Sequence, residues 1–328
     1  MTGGHYISDS IIKVFFEGYT KRELCPAKIS NDPIFLRNRI INWGTVTWDE
    51  IASYIEQHKQ ILCIVNSRRN ARKIYERING EGNYHLSTLM IPKERKRILK
   101  EIRDRLKSGL LCRVVSTSLI EAGVDVDFPL VMREMAGLDS ILQAAGRCNR
   151  EGRRNVSESI VTVFQTEDPV PPIFRTNISA SKYALEACDE INSEECIKCY
   201  FDNLYDFKGK EEQDKKHILE LLNSNKLAFK ETARRFCMID NDTYTIYIPL
   251  QEGKELIERR RKGEISRALM RKLGQYGVNV FERHLTDLYA AGDIEQIGKS
   301  EWVLVNESLY DLLTGLSLDA DNGKAIFI

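Results

Sequence analysis

The sequence predicts an α/β fold: a parallel sheet with helices on both faces, followed by a helical linker and a small α+β domain. Three observations predict it. From about residue 47, short apolar runs alternate with amphipathic segments. The apolar runs are near-continuous, the pattern of strands buried on both faces. The run EDPVPPIF at 167–174 then breaks the rhythm with three prolines.

In order, TWDEIASYIEQH opens on a capping box, Thr47 and Glu50, and predicts a helix. ILCIVN at 61–66 is a strand, RRNARKIYERI at 68–78 a helix, and YHLST at 84–88 a second short strand. A basic helix over 92–107 leads to strands LCRVVST and PLVMRE, a helix over 139–147, and the strand SIVTVFQT. Beyond the prolines the chain is helical and charged to about residue 226. Then TYTIYIPL is a strand, 253–281 holds a helix followed by a strand, and EWVLVN is a strand. The expected division is a lead-in at 1–44, an α/β domain at 45–168, a helical linker at 169–235 and an accessory domain at 236–328. No internal repeat or low-complexity tract interrupts it.

With 328 residues, 42% of them hydrophobic, the chain has room for two or three globular domains. Its uncharged apolar runs, such as ILCIVNS at 61–67, fall far short of the roughly 18 residues that cross a bilayer. No basic segment followed by an apolar one opens the chain, so a cytoplasmic protein without membrane contact is expected. Several of the eight cysteines lie in apolar strand-like runs, where a thiol packs as a small hydrophobe. Cys196 and Cys199 in CIKC, with Cys188 upstream, have no second C-x-x-C to complete a metal set, so ordinary helix cysteines and no metal are expected. Forty-eight basic against 48 acidic side chains exclude a uniformly basic nucleic-acid binder. Locally, Arg68 to Lys107 holds thirteen Lys plus Arg and five Asp plus Glu, a patch suited to a phosphate backbone or to a solvated helix face.

The stretch QAAGRCNR at 143–150 sets Gln143, Arg147 and Arg150 at i, i+4 and i+7, one face of a helix with Asp139 or Ser140 as its N-cap. Two cations and an amide so presented suit an anion such as a nucleotide phosphate. Upstream, VVSTSLIEAGVD releases Ser116 and Thr117 at a strand end, with Gly123 and Asp125 just beyond. In parallel sheets ligands sit at such ends.

The order and spacing resemble motifs V and VI of the second RecA-like domain of superfamily 2 helicases. By that resemblance Arg147 and Arg150 match the arginine-finger positions and Gln143 the polar residue opening motif VI. Gly123 and Asp125 match the nucleotide side of motif V, and Thr117 a nucleic-acid contact. Asn66 and Ser67, in VNSRRNA, occupy the place of motif IV; Ser87 and Thr88 are further backbone-contact candidates. YHLSTLMIPKERKRIL, STSLIEAGVDVDF, LDSILQAAGRCNREG and the closing LYDLLTGLSLD are similar to the CRISPR-associated helicase-nuclease of type I interference, most of all the I-C subtype.

The resemblance implies an ATP-dependent single-strand DNA translocase, with ATP and Mg²⁺ as cofactors of the complete enzyme and a CRISPR interference complex as partner. It also implies a preceding HD nuclease and first RecA-like domain, whose motifs this sequence lacks. The only Gly-Lys-Ser, at 298–300, has Asp293 where a phosphate loop needs its first glycine. Asp189 and Glu190 follow a helical pattern, Asp49 and Glu50 belong to a helix start, and none of the five histidines is followed by Asp. The chain alone is expected neither to hydrolyse ATP nor to bind it tightly. Two other readings stand: a non-enzymatic DNA- or protein-binding module derived from a helicase half, and a superfamily 2 helicase of repair or restriction.

Overall fold

The computed structural model describes residues 37–318, apart from 122, 189, 223–227, 237–242 and 299 and the side chains of 210–213. Most of the lead-in therefore lies outside the described residues, as do Cys25, Cys237, Asp189 and Lys299. Strands β1 (Arg39–Thr45), β2 (Gln60–Val65), β3 (Asn83–Leu86), β4 (Cys112–Thr117), β5 (Leu130–Glu134) and β6 (Ile160–Gln165) make one six-stranded sheet in the order β1-β6-β5-β2-β4-β3. The predicted α/β class is the class observed. By contacts the chain divides into two compact units, 1–47 with 121–240, and 48–120 with 241–328.

In the first unit, β6 pairs in parallel with both β5 and β1. Strand β1 comes from residues expected to be lead-in: RIINWGT is half polar and largely exposed, so it carries no apolar-run signal. Helix α1 (Leu138–Ala145) returns over the sheet, and Ile141 packs with Met135, Val163 and Ile178. Helices α2 (Pro172–Ala187) and α3 (Glu194–Gln213) form the linker, burying Ala180, Ala184, Cys196 and Tyr200 against Leu138. Tyr200 donates its hydroxyl to Asp139 at 2.7 Å, so Asp139 anchors the linker; the N-cap of α1 is Gly137, without a side-chain cap. Among the described residues no His, Cys, Asp and Glu cluster could hold a metal ion.

In the second unit, β4 pairs in parallel with β2 and β3, each carried to the next by a helix: α4 (Trp48–Glu56), α5 (Arg68–Tyr75) and α6 (Pro92–Lys107). All of β2 after its first residue is buried, as two-sided coverage requires. The accessory domain has a sheet of order β8-β7-β10-β9, from β7 (Thr243–Tyr247), β8 (Gly277–Phe281), β9 (Ile294–Gln296) and β10 (Glu301–Leu304). The expected single helix of 253–281 is two, α7 (Glu252–Arg261) and α8 (Arg267–Leu273), parted at Gly263, whose φ of +88° ends the first. Gly298 and Ser300 lie between antiparallel β9 and β10, a strand-to-strand setting and not that of a phosphate loop, which a helix follows.

The accessory core absorbs Leu89 and Ile91, from the loop after β3, alongside Ile246, Leu273, Val280 and Leu316. The Leu316 amide donates to the Leu89 carbonyl at 3.0 Å, and Ile91 N–H to the Tyr310 hydroxyl at 3.0 Å. Gly315 makes that approach possible: its φ is +85°, and a Cβ there would come within 2.6 Å of the Leu89 backbone.

His85 is buried on β3, and burial pulls its imidazole down from its ordinary value to about 4. The unfolded chain therefore takes up a proton below about pH 6.5 that the folded chain refuses until about pH 4. Stability is expected to fall through that window, by about 2 kcal/mol at pH 5 from this group. Urea denaturation at pH 7 and pH 5 of the parent and His85→Leu checks it, the variant losing that much less between the two.

Candidate functional site

The structure redraws the geometry of QAAGRCNR. Helix α1 stops at Ala145; Gly146 caps it, and the chain turns through Arg147 to run beside Phe128. Phe128 N–H donates to the Arg147 carbonyl and Asn149 N–H to the Phe128 carbonyl, each at 2.9 Å, making a parallel bridge between Phe128 and Cys148. Asn149 has φ +49°, a conformation asparagine tolerates, and its amide holds the carbonyls of Arg37 and Arg154 at 2.8 Å. Asn38 bonds the carbonyls of Ala145 and Cys148 at 2.9 and 3.1 Å. Arg147 and Arg150 are thus set by a clamped loop, and the expected helix face of Gln143, Arg147 and Arg150 is not formed.

The two arginines sit in different environments. Arg147 is 5% exposed, and its guanidinium donates to the Glu121 carbonyl. Burial lowers its pKa, and the neighbouring Arg150 charge adds to that. The Arg150 side chain is 35% exposed, with Nε 2.8 Å from Asp125 Oδ1, whose side chain is 80% exposed. Its backbone N–H donates to Asp127 Oδ1 at 2.6 Å, and Arg154 bonds the other oxygen of Asp127 at 2.8 Å. Gly123, at φ +72°, turns the motif V loop so that Asp125 stands beside Arg150. Gln143 is half-buried on α1. Together Arg150, Arg147, Asp125 and Gly123 form a polar edge able to receive an anionic oxygen.

Beneath that edge lies a pair the sequence reading missed. Glu121 and Arg133 are both buried, with Arg133 Nε 2.9 Å from Glu121 Oε1. Burial pushes the Glu121 carboxyl up, and Arg133 pulls against it. A charge set in each of two apolar stretches, Glu121 in SLIEAG and Arg133 after PLVM, is the signal that could have found them.

In the other unit, the nucleic-acid candidates follow the carboxyl ends of parallel strands, in registers that pair Val65 with Thr117 and Leu86 with Ser116. Thr88 is exposed. Ser67 is the N-cap of α5, its hydroxyl accepting from Asn70 N–H at 3.0 Å. Ser87 is fully buried and accepts from Leu89 N–H at 3.3 Å, a structural role that withdraws it from a surface track. Thr117 is 8% exposed, whereas Ser118, next along, is exposed. Within the basic stretch of 68–107 Arg72 pairs with Glu76 and Arg97 with Glu94, and Arg77 reaches outside it to Asp49. The ERRRKGEISR cluster is neutralised likewise, Arg259 by Glu264 and Arg260 by Glu301.

Removing one partner of the buried pair leaves an uncompensated charge, so Glu121→Ala is expected to cost about 3 kcal/mol of stability. Asp125→Ala, which breaks an exposed pair, should cost less than about 1 kcal/mol. Chemical denaturation of the two variants checks the ranking; equal losses contradict it.

Residues 57–153 match the family described as CRISPR-associated nuclease/helicase Cas3, C-terminal. The chain is 25% identical over 160 residues to the CRISPR-associated nuclease/helicase Cas3 of Methanothermobacter thermautotrophicus, covering 47% of this chain and 19% of that protein. It is 45% identical over 75 residues to that of Haloferax volcanii, 23% of this chain and 8% of the other. T. fusca Cas3 shares the fold at TM-score 0.56 and 14% identity, over 86% of this chain and 42% of that one. That protein has also been solved as Cas3-ATP, Cas3-ADP and Cas3-AMPPNP. A CRISPR RNA-guided surveillance complex, pre-nicking, contains a chain of the same fold, at TM-score 0.53 and 15% identity. This chain thus spans under a fifth of the two curated relatives and 42–44% of these solved chains. No helix among the described residues is long and apolar enough to cross a membrane. Over residues 57–153 the chain matches the C-terminal part of the CRISPR-associated nuclease/helicase Cas3, and its fold is that of the C-terminal helicase part of Cas3.

Proposed function

We propose that this chain is the second RecA-like domain, helical linker and accessory domain of an ATP-dependent single-strand DNA translocase in type I CRISPR interference, acting in the cytoplasm. The observation that carries the reading is the Arg150–Asp125 pair, a guanidinium held at an exposed edge by an acid that solvent can replace. Arg150 is the cation that meets the γ-phosphate, where its charge stabilises what develops in phosphoryl transfer. Arg147, enclosed against the Glu121 carbonyl, holds the motif V loop in place beneath it. Gln143 and Gly123 complete the nucleotide edge. Asn66, Ser67, Thr88 and Thr117 contribute strand-end contacts to a DNA track.

The reading requires a phosphate loop, Mg²⁺ and a water-activating carboxylate from a first RecA-like domain, with an HD nuclease and an interference complex as further partners. Among the described residues no such cradle is formed: Gly298 lies in a β-hairpin, and a Cβ on it would meet Glu301 at 2.4 Å. The I-C subtype rests on the sequence resemblance alone. Two retained arginines, with Asp125 and Gly123 set around one of them, favour this reading over a pure binding module, which has no physical need for them.

The test is complementation. Mixed with a separately produced first RecA-like domain, the chain should show DNA-stimulated ATP hydrolysis, and Arg150→Ala should lower kcat by about a thousandfold or more. Turnover by the chain alone, or a loss below tenfold in the variant, would contradict the assignment.

A further inference from the structure

Phe281 ends β8 on its exposed side: Val278 and Val280 are buried, Asn279 and Phe281 exposed. Phe281 is 49% exposed, and a lone exposed phenylalanine is informative only through what stands beside it. One face of the ring is taken. The Arg68 guanidinium carbon lies 5.8 Å from the ring centroid, placing this corner of the accessory domain beside the segment Asn66–Ser67–Arg68 that follows β2. Arg283, two residues on, is the second cation. Its Nε–H donates to His284 Nε2 at 3.3 Å, and its charge, after burial itself, depresses the Arg68 pKa. Among the described residues no ion pair engages Arg68 or Arg283, in contrast to the neutralised arginines of α7.

We propose that Phe281, flanked by Arg68 and Arg283, is a stacking platform for an unpaired base of single-stranded DNA, through which the accessory domain extends the track at the strand ends. This rests on the DNA-translocase reading and adds residues from a domain that reading leaves without a role. The chemistry is that of a sequence-tolerant single-strand site. Every base offers a π-face to an aromatic ring, and cations alongside meet the phosphates. With Arg68 on one face, a base takes the other, and Arg283, exposed two residues further along the chain, is the cation for its phosphate.

The experiment uses the purified full chain and a fluorescein-labelled oligo-dT, with affinity measured by anisotropy across a salt series. Phe281→Ala should weaken binding about five- to a hundredfold without changing the slope of log affinity against log salt. Arg283→Ala should weaken binding and reduce that slope by about 0.7, one phosphate contact. Phe281→Trp should keep parental affinity and add a tryptophan quench on DNA binding that the parent lacks, a signature that altered folding would not give. Parental binding retained in both alanine variants, with no added quench, would overturn this inference alone. No binding of oligo-dT by the parent at low salt would overturn it together with the translocase reading.

Discussion

The site depends on a short backbone clamp, the parallel bridge that Phe128 makes with Cys148. Two hydrogen bonds of 2.9 Å pull residues 147–149 out of helical geometry and lay them beside the end of the motif V loop. Without the clamp, Arg147 and Arg150 would continue helix α1 and face a common direction about one and two turns on. With it, their environments diverge. Arg147 turns inward onto the Glu121 carbonyl, and Arg150 turns outward to Asp125. Asn149, in a left-handed conformation, and Asp127, receiving the Arg150 amide, hold the turn open.

Charge is layered about this clamp according to how readily it can be exchanged. The Glu121–Arg133 pair is closed off from water, and its disruption is costly because the charge left behind stays in the low-dielectric interior. The Arg150–Asp125 pair is exposed, so its net contribution to stability is small and a more charged acceptor can displace the carboxylate. On the proposed function, a rigid buried pair with a replaceable pair beside it lets the loop keep its place when the guanidinium changes partner. The accessory domain is joined to its unit in the same fixed way, through Leu89 and Ile91 entering its core and through the Gly315 approach.

What the sequence revealed follows from which signals are local. Four of the six strands of the parallel sheet, β2, β4, β5 and β6, announce themselves as apolar runs because both of their faces are covered; the edge strands β1 and β3, half polar or more, do not. QAAGRCNR reads as helix because Gln, Ala and Arg favour helix; the helix stops at Ala145 with Gly146 as its cap, and the residues beyond pair with Phe128, twenty residues away in sequence. The residue types of the nucleotide edge were legible as a constellation, whereas their division into a buried and an exposed arginine depends on tertiary packing. Ser87 shows the same limit: a serine at a strand end looks available until it is seen buried, its hydroxyl accepting from Leu89 N–H. Charge runs mislead for a related reason, since the glutamates that neutralise Arg260 and Arg259 lie elsewhere in the chain or across a turn.

The central claim is that Arg150 leaves Asp125 for a nucleotide phosphate while Arg147 stays where it is. Arginine Nε-selective ¹⁵N NMR of the chain, paired with a first RecA-like domain and titrated with AMPPNP, reads this directly, each resonance being assigned by its loss in the corresponding Arg→Lys variant. The account predicts a large shift of the Arg150 Nε–H signal at saturation and little movement of Arg147. An Arg150 signal unchanged by bound nucleotide would contradict it.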